Sequence, residues 1–366
     1  MKIGILTFHN AMNYGAVLQC FATQELLKGL GHEVEIIDYH NRAIVNKYSS
    51  RKYSLLHLPK RVWLWPSYLI TSFFYKKRTK SFREFSSKYL SLSEQRYYQG
   101  EVFVLNGYDI ILIGSDQLWN PEITNGFDDV YWGNFKRDAK TIVLSWSISM
   151  NYTPQKKEDM SLIESNLENF NGLSVRESGF KTFLLEQFNK NSVLTLDPTL
   201  VLESDKWNRL CAHWNDGEEY IAVYAVERAT RLETLKVAQK LAIKTRLPIK
   251  YIKSDCDNEI SQRAIQFAAP DGFLSLIRNA TYVVTSSFHG TVFSIVFHKR
   301  LFALSSVFGK KNERINSLLE QIGLEKCAIN QDETFESIED ISFTLADGRL
   351  AQLREGTLKF LSQYGI

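Results

Sequence analysis

Two distant stretches of this sequence share one order of elements, and that order leaves few folds open. Residues 2–8, KIGILTF, form an apolar run of strand length; a polar loop, the helical pattern AVLQCFATQELLKGL and a second apolar run, EVEIIDY, follow it. Residues 220–252 repeat the order with YIAVYAV, LETLKVAQKLAIKT and PIKYI. A strand joined through a helix to a parallel neighbour crosses over right-handedly, and such units build open parallel sheets with helices on both faces. Two Rossmann-like α/β domains facing each other across a cleft are therefore expected, and 366 residues suffice for both. The polar, strand-free stretch ESDKWNRLCAHWNDGEEY sets the division. It places an N-terminal domain at 1–205, a C-terminal domain at 218–345 and a closing helix at 346–366.

Charge is unevenly spread. The net formal charge is only +3, but no acidic residue lies between Asp38 and Glu84, where Arg42, Lys47, Arg51, Lys52, Lys60, Arg61, Lys76, Lys77, Arg78, Lys80 and Arg83 fall. A basic arm at about 42–83 is thus attached to a mildly acidic body. Its centre, VWLWPSYLITSFFY, is aromatic and interrupted by Pro66, too short to span a bilayer but suited to lying at an anionic membrane surface. Packing of these aromatics against the first domain or against a second copy of the chain, with solvated charges, is the equal alternative. Because the arm is half apolar and the body acidic, an extended nucleic-acid track is disfavoured.

The four cysteines, Cys20, Cys211, Cys256 and Cys327, show no metal-ligand or disulfide spacing. His9, His32, His40, His57, His213 and His298 form no metal-spaced cluster either, so no metal is expected. Neither GxGxxG nor a Walker loop is present, which argues against nicotinamide and P-loop nucleotide chemistry. Met1 opens a strand rather than a leader, and no apolar run reaches the length of a spanning helix. A cytoplasmic protein, held peripherally at the inner face of the membrane if the arm contacts it, is the expectation.

Open α/β sheets bind ligands at the carboxyl ends of their strands, where free N–H groups of the following helices point at whatever is bound. The loops at those ends contain Asn13, Tyr14 and Gly15 (HNAMNYGA), Ser115, Asp116, Gln117, Trp119 and Asn120 (GSDQLWNP), Arg176 and Glu177 (VRES), Ser286 to Thr291 (SSFHGT), and Lys310, Lys311 and Arg314 (FGKKNERI). His289 stands at a strand-to-helix turn inside the apolar run ATYVVTSSFHGTVFSIVF. From spacing alone it is as readily a satisfied core residue as a functional one.

Taken together, KIGILTFHNAMNYGAVLQC, GSDQLWNP, LSVRE, LDPTL, RNATYVVTSSFHGTVFSIVF and the later NERINSLLEQIGL resemble the polysaccharide pyruvyl transferase family, from residue 1 to about residue 325. The resemblance implies a fold similar to the two-Rossmann (GT-B-type) glycosyltransferases. It also implies phosphoenolpyruvate as donor substrate, no cofactor, and a pyruvyl ketal formed on two hydroxyls of a hexose in a surface polysaccharide or its lipid-linked precursor. His289 resembles the family's functional histidine.

That chemistry suits the residues. Forming the ketal requires a proton on the methylene carbon of an enol phosphate, and histidine, with an ordinary pKa of about 6.5, is the side chain fitted to deliver one near neutrality. Arg176 is the second catalytic candidate, because a guanidinium fork matches carboxylate or phosphate, with an ion pair to Glu177 as its structural alternative. Ser286, Ser287, Gly290, Thr291, Lys311 and Arg314 would hold the donor, although helix capping would use the same serine geometry. On the acceptor side stand Asn13, Tyr14, Gly15, Ser115, Asp116, Gln117 and Trp119, the last offering an aromatic face to a sugar ring. Asp116 could equally serve as a base or hold its loop, and Asp197, before Pro198, reads as a turn residue. A glycosyltransferase that binds a nucleotide-sugar diphosphate at SSFHG is the alternative on the same architecture.

Overall fold

In a computed structural model of the chain, the described residues are 1–48, 65–154, 156–211, 217–254, 268–307, 310–330, 332–333, 335 and 341–366. The chain divides into two compact units, one of Met1–Ser49, Ser86–Leu202 and Gln352–Ile366, the other of Ser50–Phe85 and Glu203–Ala351. In chain order the first half contains β1 (Lys2–Leu6), α1 (Tyr14–Gly29), β2 (Glu33–His40), α2 (Arg42–Lys47), α3 (Trp65–Tyr89), β3 (Leu92–Tyr98), β4 (Val104–Leu105), β5 (Ile110–Asp116) and α4 (Pro121–Thr124). It continues through β6 (Lys136–Arg137), β7 (Ile142–Ile148), α5 (Lys157–Leu167), β8 (Ser174–Val175), α6 (Ser178–Phe188), β9 (Val193–Leu194) and α7 (Pro198–Val201).

The main sheet of the first unit runs β3-β2-β1-β5-β7-β8-β9, every pair parallel. Its order reverses between β1 and β5, the crevice where dinucleotide-type folds place ligands. KIGIL, IILIGSD and IVLSWSI are nearly continuous apolar runs because helices cover both faces, and Ile3, Ile5, Ile111, Leu112, Val143 and Leu144 are fully buried. Gly114 lets β5 and β7 approach: its φ is 143°, and a Cβ there would lie 2.0 Å from the Trp146 carbonyl oxygen.

The second unit contains α8 (Ser204–Leu210), β10 (Ile221–Tyr224), α9 (Arg228–Thr245), β11 (Ile249–Ile252), α10 (Pro270–Arg278), β12 (Tyr282–Thr285), α11 (Phe288–Val296), β13 (Arg300–Leu304), the pair β14 (Ser306–Val307) and β15 (Lys310–Lys311), α12 (Glu313–Ile322), β16 (Ala328–Ile329) and the start of α13 (Thr344–Ser362). Its parallel sheet runs β11-β10-β12-β13-β16. This order reverses between β10 and β12, the flavodoxin-type counterpart of the same rule. Ile221, Val223, Val284, Val237 and Leu241 close the core between sheet and α9.

Two boundaries differ from those read in the sequence. Residues up to Phe85 group with the second unit rather than forming an arm of the first, because Tyr75, Phe82 and Phe85 are buried there and Arg78 donates to the Lys253 carbonyl oxygen at 3.3 Å. Arg78, 2% exposed, is therefore not a surface charge. The last helix is not a separate closing element. Ala346 and Leu350 are buried in the second unit, whereas Thr357, Phe360 and Leu361 are buried in the first, where the Thr357 hydroxyl accepts from the Leu196 amide at 3.0 Å.

Along α3 the exposed positions Leu69, Ile70, Phe73, Lys76, Lys77, Lys80 and Arg83 recur at helical spacing, apolar toward one end and basic toward the other. Trp63, Lys60 and Arg61 lie outside the described residues. No helix among the described residues is long and apolar enough to cross a membrane.

Candidate functional site

His289 occupies the first turn of α11, directly past the end of β12 and beside the reversal point of the second sheet. The turn is built by hydroxyls. Thr285 Oγ1 donates to the Tyr224 carbonyl oxygen at 2.6 Å and accepts from the Ser287 amide at 3.0 Å, tying the helix start to β10. Ser287 caps α11 by accepting from the Gly290 amide at 3.4 Å, and Thr291 donates back to the Ser287 carbonyl oxygen at 3.1 Å. The capping alternative for Ser287 is thus realised. Gly290 is required by packing, since a Cβ would lie 2.3 Å from Thr285 Oγ1.

Around His289 the surroundings are aromatic and cationic. Its buried ring meets Phe288 edge-on at 5.2 Å, and the Arg314 guanidinium lies 5.9 Å from the Phe288 ring centroid. Ser286, partly exposed, shares its hydroxyl with Thr230 at 2.8 Å and Thr234 at 3.2 Å, so α9 and α11 converge on one patch. Both helices direct their N-terminal ends there, where the dipole favours an anion. Of Lys311 the described part is the backbone, which pairs with Ser306; its side chain lies outside the described residues.

Strand ends of the first unit hold a second polar network. Arg176, just past β8, is buried and bonded to Asp197 through Nη1 and to Glu177 through Nε at 3.3 Å. Burial works against its charge, but Glu177, Asp197 and Asp116 outweigh that and raise its pKa above the ordinary arginine value. The ion-pair alternative is therefore the one present, and Asp197 is more than a turn residue: it also accepts from the Thr199 amide at 3.0 Å and the Ser115 hydroxyl at 3.3 Å. Asp116 and Ser147 hold φ of 83° and 48° at the ends of β5 and β7, a concentration of costly backbone geometry of the kind found at functional sites.

Several acceptor-side expectations need correction. Trp119 cannot present a face to a sugar: it is fully buried, stacked on Trp132 at 4.1 Å, with Nε1 donating to the Tyr131 carbonyl oxygen at 2.9 Å. Tyr14, Gly15 and Ser115 are also buried, and Ser115 donates to the Ser147 carbonyl oxygen at 3.1 Å. Gln117 accepts from Asn120 at 2.9 Å, holding its own loop. Asn13, the N-cap of α1, and Asp116 remain partly exposed at the ends of β1 and β5.

One group was missed. His9, far in sequence from Asp38 and His40 and assigned with them to no cluster from spacing, meets them so that one ligand atom of each lies within 4.8 Å of the others. Asp38 Oδ1 lies 2.9 Å from His9 Nε2 and 2.7 Å from His40 Nε2, while Oδ2 accepts from Arg96 Nε at 2.7 Å. Burial alone would raise Asp38, but these three partners outweigh it and hold its carboxyl below the ordinary carboxylate range. The signal was available: consecutive strands of a strand–helix–strand unit end side by side.

The family model for polysaccharide pyruvyl transferase matches residues 13–306. No curated protein sequence matches the chain. Among solved structures, the chain is similar to a putative UDP-N-acetylglucosamine 2-epimerase from Listeria monocytogenes (9% identity, 96% of this chain and 94% of that one, TM-score 0.45). It is also similar to the glycosyltransferase SnogD from Streptomyces nogalater (9% identity, 100% and 99%, TM-score 0.44). A UDP-GlcNAc 2-epimerase from Methanocaldococcus jannaschii is comparable (12% identity, 97% and 92%, TM-score 0.45). With two parallel-sheet units, a hydroxyl-built histidine turn and a family match over most of its length, the chain belongs to the polysaccharide pyruvyl transferase family.

Proposed function

We propose that the protein transfers the pyruvyl group of phosphoenolpyruvate to two hydroxyls of a hexose in a surface polysaccharide or its lipid-linked precursor. The observation that carries the reading is the His289 turn: an imidazole in the first turn of a helix, beside the sheet's reversal point, with Ser286 and Arg314 near. An anionic donor suits that patch, where the ends of α9 and α11 meet. His289 gives a proton to the methylene carbon of the bound enol phosphate. One sugar hydroxyl adds to the adjacent carbon, phosphate departs, and the second hydroxyl closes the ketal. Two hydroxyl protons are released; one replaces the proton given to carbon and the other leaves with phosphate. Arg176 acts from the first unit as a buried cation that orders the strand ends through Asp197 and Glu177, rather than as an unencumbered clamp. The exposed face of α3, apolar at Leu69, Ile70 and Phe73 and basic at Lys76, Lys77 and Lys80, supports peripheral contact with anionic lipid, where a lipid-linked acceptor would reside.

The test is phosphate release and ketal formation on a purified hexose-containing precursor, with unmodified chain and with His289→Gln. Loss of a general acid costs about 10²–10⁴-fold in turnover while donor binding, read by calorimetry, is retained. Turnover within a few-fold of normal in folded His289→Gln removes the histidine from the reaction. Binding of nucleotide sugars but not of phosphoenolpyruvate selects the glycosyltransferase alternative.

A further inference from the structure

Beyond the donor site, and independently of the pyruvyl reading, the histidine cluster at the ends of β1 and β2 raises a bonding problem. His9 Nδ1 lies 3.3 Å from the Thr7 carbonyl oxygen and Nε2 lies 2.9 Å from Asp38 Oδ1. Both neighbours are acceptors. A neutral imidazole carries one N–H, so one of its two nitrogens must direct a lone pair at an oxygen unless a positive species sits between them. That species is either a second proton or a metal ion.

We infer that His9, Asp38 and His40 form a binding site for a divalent transition ion of the zinc class. Three observations favour an ion over a proton. Both histidines converge through Nε2 on a single carboxylate oxygen, giving two nitrogens and one oxygen, a ligand set that zinc-class ions accept. Each has a partner on its other nitrogen, as ligating histidines do: the Thr7 carbonyl for His9, and for His40 the Asn10 side-chain amide, whose Nδ2 stands 3.0 Å from Nδ1; turning that amide over exchanges nitrogen for oxygen and lets it accept from Nδ1–H. The site also has a wet side, since His9 and Asp38 are buried while His40 is partly exposed beside Tyr98, whose ring lies 5.2 Å away. Solvent or a substrate oxygen would fill the remaining coordination position from that side. At metal–ligand distances of about 2.0–2.2 Å the ligand atoms stand roughly 3.3 Å apart, so binding moves each back by about half an ångström from its present hydrogen-bond distance. The site lies at the carboxyl ends of adjacent parallel strands, the ligand side of this sheet.

Full-length chain is stripped with a chelator, dialysed against buffered Zn²⁺ and measured for bound metal by mass spectrometry. About one tightly held ion per chain is expected, with X-ray absorption showing nitrogen and oxygen neighbours at about 2.0–2.1 Å. His40→Gln, at the more exposed ligand, should weaken binding more than about a hundredfold, since losing even a partner behind a ligand costs about 10–100-fold. His298→Gln, at the exposed histidine paired with Asp347, serves as the control and should bind as the unmodified chain does. Absence of stoichiometric uptake, or uptake that survives in His40→Gln, overturns the assignment and leaves a proton shared between His9 and Asp38. Should His40→Gln fail to fold, the absorption spectrum of the unmodified chain decides alone: a shell without imidazole scattering refutes the site.

Discussion

Replacing Gly290 with alanine tests whether the His289 turn is fixed by close approach of α11 to β12. The added Cβ would lie 2.3 Å from Thr285 Oγ1, where ordinary contact begins at 3.4 Å, and 3.1 Å from Thr285 Cβ and the Tyr224 ring. The hydroxyl cannot simply swing away, because it bonds to the Tyr224 carbonyl oxygen and the Ser287 amide. Either those two bonds, worth about 0.5–1.5 kcal/mol each, are given up, or the helix start moves by about 1 Å. Overpacking costs about 1–3 kcal/mol, and alanine's helix preference returns about 1 kcal/mol. The net loss, up to about 2 kcal/mol, lowers Tm by up to about 8 °C for a unit of this size. Gly356→Ala is the internal comparison: Gly356 is exposed within α13, with nothing within 4 Å of the added carbon, and should gain up to about 1 kcal/mol. Thermal melts followed by circular dichroism compare the pair, and turnover should fall in Gly290→Ala as His289 is displaced. A melt for Gly290→Ala equal to or above that of Gly356→Ala refutes the close-approach reasoning.

Two further outcomes follow from the buried ion pair and from the α3 surface. Asp197→Asn takes from the buried Arg176 the carboxylate that its Nη1 meets, leaving the Glu177 pair at 3.3 Å, and should cost about 3–5 kcal/mol; Asp138→Asn, at an exposed loop carboxylate, should cost far less, and equal denaturation midpoints would discount the pair. Vesicles containing anionic lipid should sediment the protein at low salt and release it in high salt or after Lys76, Lys77 and Lys80 are changed to Glu; Arg78 is left untouched because it is buried. Undiminished binding by the charge-reversed chain would contradict the lipid contact.

Elements set by short-range pattern were legible in the sequence. The β1–α1–β2 and β10–α9–β11 units follow from alternating apolar runs, and the His289 turn from a β-branched strand meeting small and hydroxyl residues. What escaped was decided by tertiary burial and by juxtaposition. Trp119 and a sugar-binding tryptophan read alike in GSDQLWNP; only the stack on Trp132, contributed by a later loop, separates them. Arg78 sits within a run of cations, and the Lys253 carbonyl that holds it lies far along the chain. His9, Asp38 and His40 meet because β1 and β2 pair in register, Ile5 opposite Ile36, which brings the following residues together across the crossover helix. The ending of α13 in the first unit depends likewise on Thr357 reaching Leu196.

The proposed reaction leaves a mark in its product, because the methyl carbon of the ketal must take one proton from the enzyme, and that proton exchanges with solvent. The most direct measurement is therefore to run the purified chain with phosphoenolpyruvate and a hexose-containing precursor in D₂O, and to analyse the product by mass spectrometry and NMR. The account predicts a ketal methyl carrying a single deuterium, formed with an equivalent of phosphate and largely lost in His289→Gln. A ketal methyl free of deuterium, or phosphoenolpyruvate left intact while a nucleotide sugar is consumed, would contradict it.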